Sequence, residues 1–411
     1  MALRVWRSRL VRAVIASMFL LAVTACGSSS ERTTSQGTTT VPTGGPEGDE
    51  FYVPPTPLPA GSDGDVIWSR PIVGIPGLPD AASNELVLYH STALDGRDIA
   101  VSGMVATPKG DPPSGGWPVV SWAHGAVGYA DVCAPSRDAG VGSAQHDYVA
   151  LMGRSLNELV KEGYVVAQTD YEGLGTPGGH AYGVGQAKAR SVADIVRAAR
   201  QLDSDVGSRW IALGHSLGGA AVVVAAGSAT DSAPELELLG AVDIEGSSRP
   251  LVAAALSGHI DVDIFDWPLL IAGAAAVDDS VEPERFLTPS ALAAFRTVDS
   301  ACLLDVVVAA RAVRTSEITQ PGADLAALLK VVKEQDFEAV QPVVPLLVVQ
   351  GTPTPFSDNK VTALCNHGGT VQYSVYQGES HEGVVATALI EIQNWIHDRF
   401  AGQPAPSNCP M

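Results

Sequence analysis

One glycine-rich turn constrains this chain more than any other feature. Gly214-His215-Ser216-Leu217-Gly218-Gly219 directly follows the short apolar run Trp210–Leu213 and opens the apolar, helix-forming stretch Leu217–Ser228. Small residues two positions either side of Ser216 let a strand reverse into a helix through a tight turn. Runs of the same kind recur on both sides of it. Pro118–Ala123, Tyr164–Thr169, Leu238–Ile244, Pro345–Gln350 and Val371–Tyr376 read as short strands. Tyr148–Glu162, Gln186–Leu202 and Thr387–Phe400 read as helices. Strands alternating with helices imply an α/β class protein with a mostly parallel central sheet and helices on both faces. Upstream, Glu85–Pro108 reads as an antiparallel hairpin turning at Asp95-Gly96, and 51–79, rich in Pro and Gly, as a wrapping arm. Between Gly246 and about Pro342 the rhythm stops and Ala/Leu/Val segments at helical spacing take over, so 246–342 reads as a helical insertion between two sheet strands, a cap over the site. The sheet domain is then split into 51–245 and 343–411.

A serine on a strand-to-helix turn is suited to nucleophilic attack. The helix N-terminus favours negative charge, and the Leu217 N–H points where an oxyanion forms. Such a serine needs a base. Of nine histidines, His381 stands apart, because Gln377-Gly378-Glu379-Ser380-His381-Glu382-Gly383 falls between the last strand and the last helix. That position delivers a base to the nucleophile in the order serine, acid, histidine. His90 belongs to the hairpin, His146 and His397 to helices, His215 to the turn, His259 to the insertion, and His367 to a cysteine-bearing turn. A second oxyanion donor can come from either of two loops at strand ends, His124-Gly125-Ala126 or Asp170 to Gly178.

The N-terminus reads as an address. Arg4, Arg7, Arg9 and Arg12 precede an apolar run from Ala13 to Ala25, which is too short to span a bilayer. Residues 1–25 are therefore expected to be a signal peptide. Val23-Thr24-Ala25-Cys26 resembles a bacterial lipobox, with Cys26 lipidated and a Ser/Thr/Gly-rich linker over 26–50 tethering the domain to a membrane outside the cytoplasm. The net charge of −20 argues against nucleic acid and anionic membrane surfaces as partners. Cys133, Cys302, Cys365 and Cys409 are an even set in an exported chain, hence two disulfides in one of three connectivities. No CxxC or HxxxH spacing occurs, so no metal is expected.

Trp122-Ala-His-Gly125, Cys133-Ala-Pro-Ser136, Asp170-Tyr-Glu-Gly-Leu-Gly-Thr-Pro177, the Ser216 turn and the His381 loop together resemble the secretory lipases similar to Candida lipase A. The resemblance covers about 66–402. It implies an α/β-hydrolase fold with an inserted helical cap, acting on carboxylic (small-molecule or lipid) esters with no cofactor. It also implies an oxyanion hole from Asp170 and Leu217, and the pairings Cys133–Cys302 and Cys365–Cys409. One departure concerns the acid. The family carries it in a Gly-Thr-x-Asp arrangement after the seventh strand, whereas this chain reads Gly351-Thr352-Pro353-Thr354. Asp358 is the nearest carboxylate and the expected acid, although Ser357 or Asp358 equally suits a helix cap. Glu245 and Asp243, at the end of Leu238–Ile244, are the alternatives, and a chain with no working acid is the third.

Overall fold

The computed structural model describes residues 44–246, 256, 264–334, 339–352 and 355–409. The signal peptide, Cys26 and His259 lie outside the described residues. Nine strands form one sheet: β1 Val66–Pro71, β2 Ser83–Thr92, β3 Asp98–Thr107, β4 Trp117–Ala123, β5 Val165–Thr169, β6 Val206–His215, β7 Glu237–Ile244, β8 Leu346–Gln350 and β9 Val371–Val375. Their order is β1-β2-β3-β5-β4-β6-β7-β8-β9. The pairings β1–β2, β2–β3 and β3–β5 are antiparallel, and every pairing from β5 to β9 is parallel. The hairpin turns at Asp95-Gly96, where Gly96 takes φ 85°, a value open to glycine at little cost. β1 corrects the reading of 51–79 as an arm only: its second half pairs with β2. The Pro- and Gly-rich composition concealed a strand of six residues.

The strands are apolar at nearly every position because both faces are covered. Val119 and Ala123 of β4 and Leu346 and Val348 of β8 face one side, where they pack with Val192, Val196, Val222 and Val223. These come from helices Gly185–Leu202 and Leu217–Ser232. Val120, Trp122, Leu347 and Val349 face the other side and pack with Leu156, Ile392 and Trp395. Those residues belong to helices His146–Lys161 and Leu389–Phe400. The period of two that sends neighbours to opposite faces is the ordinary geometry of a strand.

Between β7 and β8 the described chain is helical, with helices Trp267–Val277, Leu303–Arg311 and Ala326–Glu334 and shorter turns. This segment has its own apolar cluster around Trp267, Leu269, Ile271, Phe286 and Val306, and Leu217 of the Ser216 turn belongs to the same cluster. Both disulfides form, as Cys133–Cys302 and Cys365–Cys409. The first joins the loop after β4 to the helical segment, and Leu303 N–H donates to Val127 O at 2.9 Å beside it. The second ties the C-terminal tail to helix Pro355–Asn366.

Candidate active site

Ser216 sits between β6 and helix Leu217–Ser232 at φ 55°, ψ −114°, a left-handed conformation that costs a non-glycine residue about 1–3 kcal/mol. The surroundings hold it there. Ser216 N–H donates to Ile244 O at 2.8 Å, fastening the turn to the end of β7. A Cβ on Gly218 would lie 1.9 Å from Ala123 O, and one on Gly214 would lie 2.2 Å from Gly218 O. Glycine at these two places is therefore a requirement of backbone contact, which is why the motif is visible in sequence.

The base loop meets a carboxylate from β7. His381 Nδ1 lies 3.4 Å from Glu245 Oε2, with His381 43% exposed and Glu245 9% exposed at the side chain. Glu245 follows β7 in a left-handed conformation, φ 55°. Its N–H donates to Val349 O at 2.9 Å, and its carboxylate accepts from Gln350 Nε2 and the Gly351 N–H. A Cβ on Gly351 would lie 2.7 Å from Glu245 Oε1. The glycine of the Gly351-Thr352 turn thus leaves room for a carboxylate that arrives from the neighbouring strand.

The other β7 carboxylate is occupied. Asp243 Oδ2 accepts from Lys360 Nζ at 2.6 Å, with both side chains fully buried. Lys360 also donates to Gly246 O at 2.5 Å, and Gly246 N–H donates to Asp243 Oδ1 at 2.8 Å. This closed set braces the turn that carries Glu245. Asp358 lies in helix Pro355–Asn366, and its side chain is outside the described residues. Sequence reasoning missed Lys360, Gln350 and Gly351, because nothing local marks a lysine as the partner of an aspartate 117 residues earlier.

Asp170, which the resemblance implies in the oxyanion hole, is bonded back to β3 and to the loop after β4. Its N–H donates to Ser102 O at 2.9 Å. Its buried carboxyl takes Ser102 Oγ at 2.6 Å, Ser136 N–H at 3.0 Å and Ser136 Oγ. Burial raises its pKa above the usual carboxylate range, against the lowering effect of the two serines. Through these bonds Asp170 fastens β3 to the Cys133-Ala-Pro-Ser136 segment. In the alternative loop, Gly125 N–H donates to Tyr148 Oη at 2.6 Å, leaving Ala126 as the next amide. Ala126 packs against the same apolar cluster as Leu217. His124 is buried under Tyr171, ring centroids 4.3 Å apart, and burial pushes it down to about 4. Among the described residues no group of three or more His, Cys, Asp or Glu is placed to hold a metal ion.

The strand order, a nucleophile-type turn after β6 and a histidine loop after β9 define an α/β-hydrolase. The family model for secretory lipases matches residues 145–408, and the chain belongs to that family. Candida antarctica lipase A in its closed state is similar in fold, with TM-score 0.70 and 21% identity over 85% of this chain and 86% of that one. The ligand-bound rice cell wall degrading esterase LipA from Xanthomonas oryzae has TM-score 0.65 and 16% identity, over 82% of this chain and 100% of that one. A Mycobacterium tuberculosis (strain CDC 1551 / Oshkosh) protein named as a probable inactive lipase is 26% identical over 389 residues, 87% of this chain and 83% of the relative. Secretory family membership and the two disulfides indicate an exported protein.

Proposed function

We propose that this protein is an extracytoplasmic serine hydrolase that cleaves carboxylic esters through an acyl-enzyme, with Ser216 as nucleophile, His381 as base and Glu245 as acid. The observation that carries the reading is the Glu245–His381 pair, whose imidazole lies 4.8 Å, centroid to centroid, from the ring of His215, the residue before Ser216 with its φ of 55°. In the first step Ser216 Oγ attacks the ester carbonyl while its proton passes to His381 Nε2. The Leu217 N–H, with Ala126 from the loop after β4, takes the oxyanion charge. Collapse breaks the C–O bond, and His381 returns the proton to the departing alcohol. Water, deprotonated by His381, then attacks the acyl-enzyme and releases the acid and Ser216. Glu245 fixes the imidazole with Nδ1–H toward itself and stabilises the imidazolium.

In this reading the helical segment between β7 and β8 is the cap, and its packing on Leu217 links cap position to the oxyanion site. Cys26, as the lipidated first residue of the mature chain, holds the enzyme at the outer face of a membrane, where lipid or small-molecule esters reach it. The relative named inactive sets the competing reading, a hydrolase fold retained for binding alone. Reaction with a fluorophosphonate probe and peptide mapping separates them: a folded protein that modifies at Ser216 supports the enzyme, and one left unmodified at every serine removes it.

A further inference from the structure

Two residues outside the Ser–His–acid set join the two loops that flank Ser216. Tyr148, in helix His146–Lys161, is half-buried with its oxygen 2.6 Å from the Gly125 N–H and 3.1 Å from His215 Nδ1. The other nitrogen of that ring, Nε2, lies 2.9 Å from the backbone oxygen of His381. For a neutral ring, only one protonation pattern satisfies all three contacts. A carbonyl oxygen can only accept, so His215 carries its proton on Nε2. Nδ1 is then a lone pair, which must receive the Tyr148 O–H, and the Tyr148 oxygen is free to accept from Gly125. Burial pushes His215 down to about 4, with the neighbouring His381 acting in the same direction, so the ring keeps this neutral form in ordinary buffers.

We infer that His215 and Tyr148 are positioning residues for the hydrolytic site, forming a one-directional relay, Gly125 N–H to Tyr148 to His215 to His381 C=O, that sets the base loop against the oxyanion loop. The inference rests on the proposed hydrolase reading. Its physical content is register. The His381 side chain is 43% exposed, so burial does little to hold it, and its ring contacts His215 at a centroid separation of 4.8 Å. The His381 peptide is held through the His215 ring, and the Gly125-Ala126 peptide through the Tyr148 hydroxyl. A change on either side is therefore transmitted to the other without touching substrate. A sequence reader assigns His215 to the turn itself; its two ring contacts, to residues 67 and 166 positions away, have no local signal.

The test uses His215→Phe, His215→Gln and Tyr148→Phe in the full mature chain, with two readouts. One is the saturable rate of fluorophosphonate labelling, split into reagent affinity and the first-order step. The other is ring ¹⁵N NMR of the histidines. The first-order step is expected to fall about 10- to 100-fold in His215→Phe, the scale of a misplacement near 1 Å, with affinity held within about twofold. His215→Gln, whose amide can both donate to His381 O and accept from Tyr148, should recover most of it. The ring spectra should show His215 protonated on Nε2 alone, and the His381 ring signals should move in His215→Phe and return in His215→Gln. Labelling at the wild-type rate in both phenylalanine variants overturns the inference, as does a His215 proton on Nδ1. If His215→Phe fails to fold, Tyr148→Phe, which keeps the ring and all its packing, decides the same question. If folded wild type does not label at all, the hydrolase reading fails; the relay is then judged by the spectra, and unmoved His381 signals in the variants overturn it.

Discussion

The turns after β7 and β8 are neighbours in the sheet and differ in what they offer the base. After β8, where the resembled family places its acid, this chain has Gly351, Thr352, Pro353 and Thr354. The Gly351 N–H and the Gln350 amide there act as donors. After β7, Glu245 occupies a left-handed turn, receives both of those donors and pairs with His381. In the proposed reading, the β8 turn is the socket for a carboxylate supplied by β7. A triad is thus defined by where an oxygen stands relative to an imidazole, and adjacent strand ends in a parallel sheet can exchange that duty.

Four results would break or sharpen this comparison. The largest effect expected is for Ser216→Ala, which should lower turnover of p-nitrophenyl esters by at least about a thousandfold with the melting temperature unchanged. Activity within tenfold of wild type would remove the nucleophile, and with it any meaning for the acid. Next is Lys360→Met. It leaves Asp243 buried without its cation, which typically costs about 3–5 kcal/mol, and loosens the turn that carries Glu245. Chemical denaturation should show the loss, and an unchanged midpoint would mean that the brace at β7 does not hold the turn.

Third, removing the Cys133–Cys302 bond by Cys133→Ser with Cys302→Ser should cost about 2–4 kcal/mol, because it frees the helical segment from the loop after β4. The smallest effect is a pH slope. His124 and His215 are pushed down to about 4 by burial, from about 6.5 when unfolded. Both stay neutral in the folded protein while the unfolded chain takes up protons. Their contribution to stability is complete above pH 6.5 and is lost as pH falls through 4. Asp194, raised to about 7 by burial, acts in the opposite sense: its contribution is complete below about 3.8 and is lost as pH rises through 7. Comparing wild type with His215→Gln isolates one histidine. The variant's stability should fall less steeply between pH 6.5 and 4, by up to about 1.4 kcal/mol per pH unit; parallel curves would contradict the buried neutral ring.

The two turns also mark how far the sequence could be read. The Ser216 turn was legible because backbone approach at Gly214 and Gly218 permits no other residue. The apolar strands were legible because both faces are covered, and most observed ends fall within a residue of the expected ones, although β6 runs over Val206–His215 where Trp210–Leu213 was expected. The last strand and last helix bracketed His381 for the same reason. The acid was not legible beyond a choice among Asp358, Glu245 and Asp243. Asp243 and Glu245 differ only in what reaches them, a lysine 117 residues later for one and the His381 loop for the other. The inward bonds of Asp170 to Ser102 and Ser136 were not legible, because a sequence run shows which residues share a loop and not what a carboxylate reaches. β1 was missed because the Pro- and Gly-rich stretches on either side masked the good strand formers Val66, Ile67 and Trp68.

The central claim, an acid supplied from β7 to a hydrolytic serine and histidine, is tested most directly by measuring ester turnover of Glu245→Gln against Asp358→Asn, each alongside its melting temperature. Replacing a triad carboxylate by its amide costs up to about 10⁴ in turnover. The account predicts a loss of at least about a hundredfold for Glu245→Gln with the fold intact, and turnover within about threefold of wild type for Asp358→Asn. A large loss in Asp358→Asn beside a nearly unaffected Glu245→Gln would contradict it.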